Sequence, residues 1–199
     1  MIELTPPFRP AVIEDADVLA ELVNYAGEGL PLYLWTTLAA PGEEAWDVGR
    51  RRAAREDGNF SYRNAVIIER EGQCAGALIG YVIPDVPEPI PPDMPAMFVP
   101  LQELEDLAPA TWYVNVLAVR PLFRKVGLGT ELLGMAQRIA RALDKRGLSV
   151  IVSDANTGAR RLYERCGYRE GAERPMVKEA WENEGRRWVL LTKDFDPRP

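Results

Sequence analysis

VNVLAVRPLFRKVGLGTELL, residues Val114–Leu133, carries three local signals in one run. Val114, Val116, Leu117 and Val119 are strand formers. Arg120-Pro121 stops the strand, because proline lacks the N–H that a ladder needs. Gly127 and Gly129 then introduce a helix. The first N–H groups of such a helix have no intrahelical acceptor and lie at the positive end of its dipole, and glycine removes the Cβ that would hold a ligand away. The run therefore predicts an anion site, with phosphate as its natural occupant.

Downstream, Leu128, Leu132, Met135, Ala136, Ile139, Ala140 and Leu143 recur at helical spacing, which predicts a helix over Gly127–Arg146 with Gly147 as its C-cap. Leu148–Val152 reads as the next strand, and strand, helix, strand implies a right-handed parallel crossover. Asp154 or Asn156 can cap a second helix with Ala159, Leu162, Tyr163 and Cys166 on one face and Gly167 at its end. A strand from Tyr168, a polar connection over Glu179–Gly185 and a last strand over Arg187–Phe195 complete this half.

Upstream, Phe8–Val12 reads as a short edge strand and Glu14–Ala26 as a helix ended by Gly27 and Gly29. The apolar, aromatic segment Leu30–Trp35 follows. Tyr25, Glu28, Tyr33 and Trp35 are candidates for lining a substrate pocket there, while packing on the core is the better account of at least one of Tyr33 and Trp35. Glu43–Asp57 is an expected helix whose arginines form a solvated face, and Asn64–Glu71 with Gly76–Ile83 an expected antiparallel hairpin. Pro84–Pro100 is too proline-rich for helix or central strand. We read residues 84–110 as an acidic, proline-rich insertion with a short helix over Leu101–Leu107, inside a single domain spanning 1–199. Its carboxylates, among them Glu103, Glu105 and Asp106, are explained by solvation, or by a lid that attracts a cationic amine.

With 199 residues, 47% hydrophobic and 27% charged, the composition suits a compact fold. The absence of histidine excludes His-dependent triads and zinc sites of the usual kind, so no metal is expected; two cysteines, Cys74 and Cys166, make no disulfide framework. MIELTPPF is unlike a signal peptide and no apolar run approaches about 18 residues, so the expectation is a cytoplasmic protein with no membrane association. The net charge of −6 argues against non-specific nucleic-acid binding. Residues 120–170 nevertheless hold eleven Lys/Arg against five Asp/Glu, a local +6 in a remainder of −12, which fits a bound polyanion at the glycine loop. A nucleotide-binding α/β domain is disfavoured, because neither GxGxxG nor a Walker lysine-serine pair is present.

In two motifs the chain resembles the GCN5-related N-acetyltransferases, the GNAT family. The strand VNVLAV followed by RPLFRKVGLGTELL matches that family's acetyl-CoA pyrophosphate loop, Arg/Gln-x-x-Gly-x-Gly/Ala, at Arg124, Gly127 and Gly129. NTGARRLYERCGYRE matches its later segment at Asn156, Ala159, Leu162, Tyr163, Gly167 and Tyr168. The resemblance is specific over Val114–Glu170 and rests on element order elsewhere.

The resemblance implies an α/β (α+β) fold, with a mixed, mostly antiparallel sheet of six to seven strands flanked by helices. It implies a pyrophosphate held by backbone N–H groups of Lys125, Val126, Gly127, Leu128, Gly129 and Thr130, with charge from Arg124. The pantetheine arm would run along Leu117, Ala118 and Val119, with the Leu117 N–H polarising the thioester carbonyl and Asn156 a further cofactor contact. Tyr163 matches the position of the general acid that protonates the departing thiolate. The glutamate that some members carry on the pre-loop strand falls near Tyr113, and no carboxylate occurs from Thr111 to Val119; water, Glu28 or Glu105 are what remain as routes for deprotonation. The implied activity is acetyl transfer from acetyl-CoA to a primary amine of a small molecule or peptide. The alternative is a non-catalytic acyl-CoA-binding regulatory module. Both leave room for a homodimer.

Overall fold

A computed structural model describes residues 3–195 of the chain. Its sheet has seven strands in the order β1-β2-β3-β4-β5-β7-β6. These are β1 (Phe8–Pro10), β2 (Ala65–Arg70), β3 (Gln73–Val82), β4 (Thr111–Val119), β5 (Gly147–Ser153), β6 (Arg169–Pro175) and β7 (Arg187–Asp194). Six helices accompany them: α1 (Ala16–Ala26), α2 (Leu30–Leu38), α3 (Ala45–Ala53), α4 (Val99–Glu105), α5 (Leu128–Ala142) and α6 (Thr157–Arg165). β4 and β5 run parallel, joined through α5; β1/β2, β2/β3, β5/β7 and β6/β7 are antiparallel. This is the mixed, mostly antiparallel sheet flanked by helices that the sequence predicts. β4 and β5 pair only through Thr111–Tyr113 against Gly147–Ser149.

The described chain divides into two compact units. The unit made of residues 3–80 and 116–132 has a core in which Leu19, Leu22, Ile67, Ile79, Val116 and Ala118 converge. Trp35 belongs to this core at 2% exposure, edge-on to Trp46 at 5.6 Å and stacked on Phe60 at 6.3 Å. Gly49 on α3 admits the indole, since a Cβ there would lie 2.6 Å from Trp35 Cε3. The edge is tied down by Arg9, which donates to both Asp15 oxygens at 2.7 and 2.9 Å and to Glu69 at 2.7 Å. Gly76 lets β3 and β4 approach, a Cβ there falling 2.5 Å from Ala118 O.

In the unit made of 81–115 and 133–195, Leu104, Trp112, Met135, Leu148, Val150 and Leu191 are buried. The Glu179–Gly185 connection, polar in composition, is anchored by Trp181, whose ring stacks on Trp188 at 5.9 Å.

Several boundaries differ from the sequence expectation. α5 ends at Ala142, not Arg146, and Leu143 beyond it is 49% exposed. The reversal is made at Asp144, φ +54°, and the Arg146 N–H donates to Ala110 O. Gly147 is therefore not a C-cap but the first residue of β5. It is small because a Cβ would lie 2.3 Å from Lys193 O on β7. α3 spans Ala45–Ala53 within the broader Glu43–Asp57 expected; the backbone leaves helical geometry at Ala54, φ −77° and ψ 0°, ahead of the turn at Gly58, φ +80°. The aromatic segment Leu30–Trp35 lies within a helix that continues to Leu38, with Pro31 in its first turn where no N–H is needed.

Candidate functional site

Between β4 and α5 the chain passes through a single helical turn at Pro121–Phe123 and then a loop in which Lys125 and Gly127 both have left-handed φ, +65° and +93°. A Cβ on Gly127 would meet nothing within 4 Å, so the space beside it is open. Thr130 and Glu131 turn their N–H groups back onto Gly127 O at 2.9 and 3.2 Å. From Lys125 to Gly129, by contrast, no N–H has an acceptor among the described residues. Arg124, Lys125, Val126 and Thr130 are exposed, whereas Leu128 is buried and roots α5. The loop thus offers a row of unclaimed donors at a helix start with two cationic side chains beside it, an arrangement suited to a multiply charged anion.

The Arg124 side chain is placed by its own unit. Its Nε donates to Val119 O at 2.9 Å, and its guanidinium lies 5.7 Å from the ring centre of Tyr25. Tyr25, near the end of α1, donates to Glu21 at 3.1 Å, and Glu21 faces Arg120 at 3.6 Å. The Glu21 hydrogen bond raises the Tyr25 pKa. Tyr25 is therefore joined to the glycine loop through Arg124. Glu28, φ +52°, and Tyr33 are half-buried, and Trp35 is in the core.

On β4, Val116 and Ala118 point into the core while Leu117 and Val119 are half-buried. Beyond Tyr113 this strand has no pairing with β5, so its edge past that point is without a strand neighbour among the described residues.

In the other unit, Asn156 caps α6, its Oδ1 accepting the Ala159 N–H at 3.1 Å. Tyr163, on the buried face of α6, packs against Tyr168 with ring centres 5.5 Å apart. Burial raises the Tyr163 pKa, so at neutral pH the phenol keeps its proton, as an acid must. Its hydroxyl has no hydrogen-bond partner among the described residues. The buried Tyr168 hydroxyl is also unpartnered.

The same unit holds one of the two carboxylates that the sequence offers as a route for deprotonation. Glu105, at the end of α4, is half-buried, with each carboxylate oxygen 3.0 Å from the Tyr81 hydroxyl on β3. Tyr81 and the buried Tyr113 on β4 have ring centres 5.2 Å apart. Burial pushes the Glu105 carboxyl up to about 7, against a smaller lowering by Tyr81. Tyr113 is itself raised by burial and then by Glu105, Tyr81 and Tyr163, so these side chains sit within electrostatic reach of one ring. Sequence reasoning missed Tyr81 altogether. Nothing in its strand distinguishes it from the apolar residues beside it, and only the hairpin return brings it to α4.

No cluster of metal-ligating residues occurs among the described residues, and none of their helices is long and apolar enough to cross a membrane.

Several solved structures share this architecture. One is a crystal structure of an acetyltransferase, 21% identical, covering 95% of this chain and 99% of that one with a TM-score of 0.64. Another is ribosomal-protein-alanine N-acetyltransferase from Brucella melitensis, 22% identical, covering 94% and 99%, TM-score 0.57. A third is a Bacillus subtilis acetyltransferase in complex with CoA, 18% identical, covering 82% and 91%, TM-score 0.50. No curated protein matches the chain. The acetyltransferase (GNAT) family model matches residues 31–168, a span that includes α2 to α6 and the glycine loop, and the chain belongs to that family.

Proposed function

We propose that this protein transfers the acetyl group of acetyl-CoA to a primary amine of a small molecule or peptide. The observation that carries the reading is the row of unclaimed N–H groups from Lys125 to Gly129 beside the open, left-handed Gly127. Such a row matches the pyrophosphate of CoA, with Arg124 and Lys125 adding charge. The B. subtilis relative in complex with CoA supports the same ligand. The edge of β4 that has no strand neighbour among the described residues offers backbone groups of Leu117 and Val119 to the pantetheine amides, and the Leu117 N–H to the thioester oxygen, while Ala118, whose O faces Gly76 of β3, lies alongside the arm without pairing to it.

Acetyl-CoA supplies an activated carbonyl with a thiolate leaving group. The protein's part is to orient it and move protons. Tyr163, kept protonated by burial, delivers its O–H proton to the departing sulfur. Asn156 is a further contact for the cofactor, although its side-chain oxygen already serves α6. Tyr25, Glu28 and Tyr33 stand as acceptor-side residues, with Tyr25 set by Arg124. We place its work in the cytoplasm.

Calorimetric titration with acetyl-CoA tests the reading directly: binding at micromolar concentration is expected, and none would overturn it. Thiol release across a library of primary amines then separates an enzyme from a regulatory module that binds acyl-CoA without turnover.

A further inference from the structure

Glu105 is unusual among the carboxylates of its unit. Two residues earlier on the same helix, Glu103 is met by the Arg174 guanidinium of β6 at 2.6 Å. Glu105 has no cationic partner among the described residues; its one hydrogen-bond donor is the Tyr81 hydroxyl, shared between both oxygens at 3.0 Å. It also lies in the last turn of α4, where the helix dipole disfavours an anion. A half-buried carboxylate in that setting is under-compensated, and it becomes well compensated when a cation arrives. Beside it the Tyr81 ring lies tilted against the Tyr113 ring, with centres 5.2 Å apart, and aromatic faces attract ammonium groups.

We propose that Glu105, with the rings of Tyr81 and Tyr113, receives the ammonium group of the acceptor and removes a proton from it. This rests on the acetyl-transfer reading above and names its acceptor subsite. The groups around Glu105 are Tyr81 of β3, Tyr113 of β4, Asp106 on the end of its own helix, and Tyr163 of α6 beyond Tyr113; Arg174 of β6 is engaged by Glu103. Burial leaves Glu105 titrating at about 7, so at neutral pH a useful fraction is ionised and basic enough to accept a proton. The protons balance. The acceptor ammonium loses one to Glu105, which passes it to solvent. The free amine forms the C–N bond as the C–S bond breaks, Tyr163 gives its proton to the sulfur, and the second proton of the attacking nitrogen restores the phenol. The products are the amide, free CoA thiol and one proton.

The subsite supplies what the pre-loop strand lacks. β4 carries no carboxylate from Thr111 to Val119, and the fold brings one within electrostatic reach of Tyr113 from α4. Glu105 is thus assigned both recognition and deprotonation, and the substrate class is a primary ammonium rather than an alcohol or thiol.

The probe is methylammonium, the smallest primary ammonium, titrated into the full chain at about pH 8 and again at about pH 6, where protonation of Glu105 removes its charge. Wild type is expected to bind it in the millimolar range and more weakly at the lower pH, with Glu105→Gln binding at least about tenfold more weakly at the higher pH and showing no such dependence. Equal affinity in both proteins, or no binding to wild type, would sink the proposal. Acetyl-CoA titrated into the same two proteins is expected to bind both alike. Loss of acetyl-CoA binding with a Glu105-dependent methylammonium site intact would count against acetyl transfer alone. Acetyl-CoA binding without that site would count against Glu105 alone.

Discussion

The Tyr81 hydroxyl lies 3.0 Å from each carboxylate oxygen of Glu105, so one O–H faces two acceptors, and no cation among the described residues balances them. This pairing has consequences for stability as well as for catalysis, and the two can be measured apart.

For stability the direction follows from the raised pKa. Glu105 ionises at about 7 in the fold against 4.5 ordinarily, so the contribution of the neutral form is fully present below about 4.5 and is lost as pH rises through 7. Glu105→Gln stays neutral throughout. The variant is expected to exceed wild type in unfolding free energy by about 2 kcal/mol above pH 7, and to match it near pH 4. Urea titrations at both ends of that window check the sign.

Tyr163→Phe is expected to lower kcat roughly 100-fold while leaving acetyl-CoA affinity within about twofold. Because the hydroxyl has no partner among the described residues, the melting temperature should hardly move. Single-turnover measurements with acetyl-CoA and any amine that releases thiol separate the chemical step from binding. Unchanged kcat would remove Tyr163 from the mechanism.

Gly127→Ala isolates the backbone contribution of the loop. A Cβ there meets nothing within 4 Å, so the penalty arises from the left-handed φ of +93° alone. About 1 kcal/mol is at stake, which corresponds to roughly fivefold weaker acetyl-CoA binding if the variant relaxes the loop. Calorimetry of the two proteins reads it, and equal affinity would show that the loop does not need that conformation.

Gly147→Ala has the opposite character. Its Cβ would lie 2.3 Å from Lys193 O, so β5 and β7 must separate where Gly147 pairs with Asp194. A destabilisation of about 2 to 4 kcal/mol is expected, seen as a lowered denaturation midpoint, with acetyl-CoA affinity of the folded protein unchanged.

Much of the architecture was legible in contiguous residues. The periodicity of Leu128, Leu132, Met135, Ala136 and Ala140 predicts α5 and its buried face, because helix burial is written every three or four residues. Asn156 as the cap of α6 and the hairpin of β2 and β3 follow from equally local chemistry. Gly147 misleads for the same reason. A glycine after a helical pattern looks like a C-cap, and the approach of β7 that requires it comes from a segment more than 40 residues later.

The glycine loop and its flanking cations were readable from sequence because a strand end, a turn and a helix start are neighbours in the chain, and their N–H groups are exposed by local geometry. Tertiary structure alone placed Trp35 under Gly49, tied Tyr25 to Arg124, and set Glu105 against Tyr81, 24 residues away. The physical reason is that burial and the loss of hydration are properties of packed neighbours. The glutamate that sequence offers only as one of several carboxylates in an acidic insertion, and one of several routes for deprotonation, becomes, once α4 and β3 meet, a carboxylate with no countercharge among the described residues.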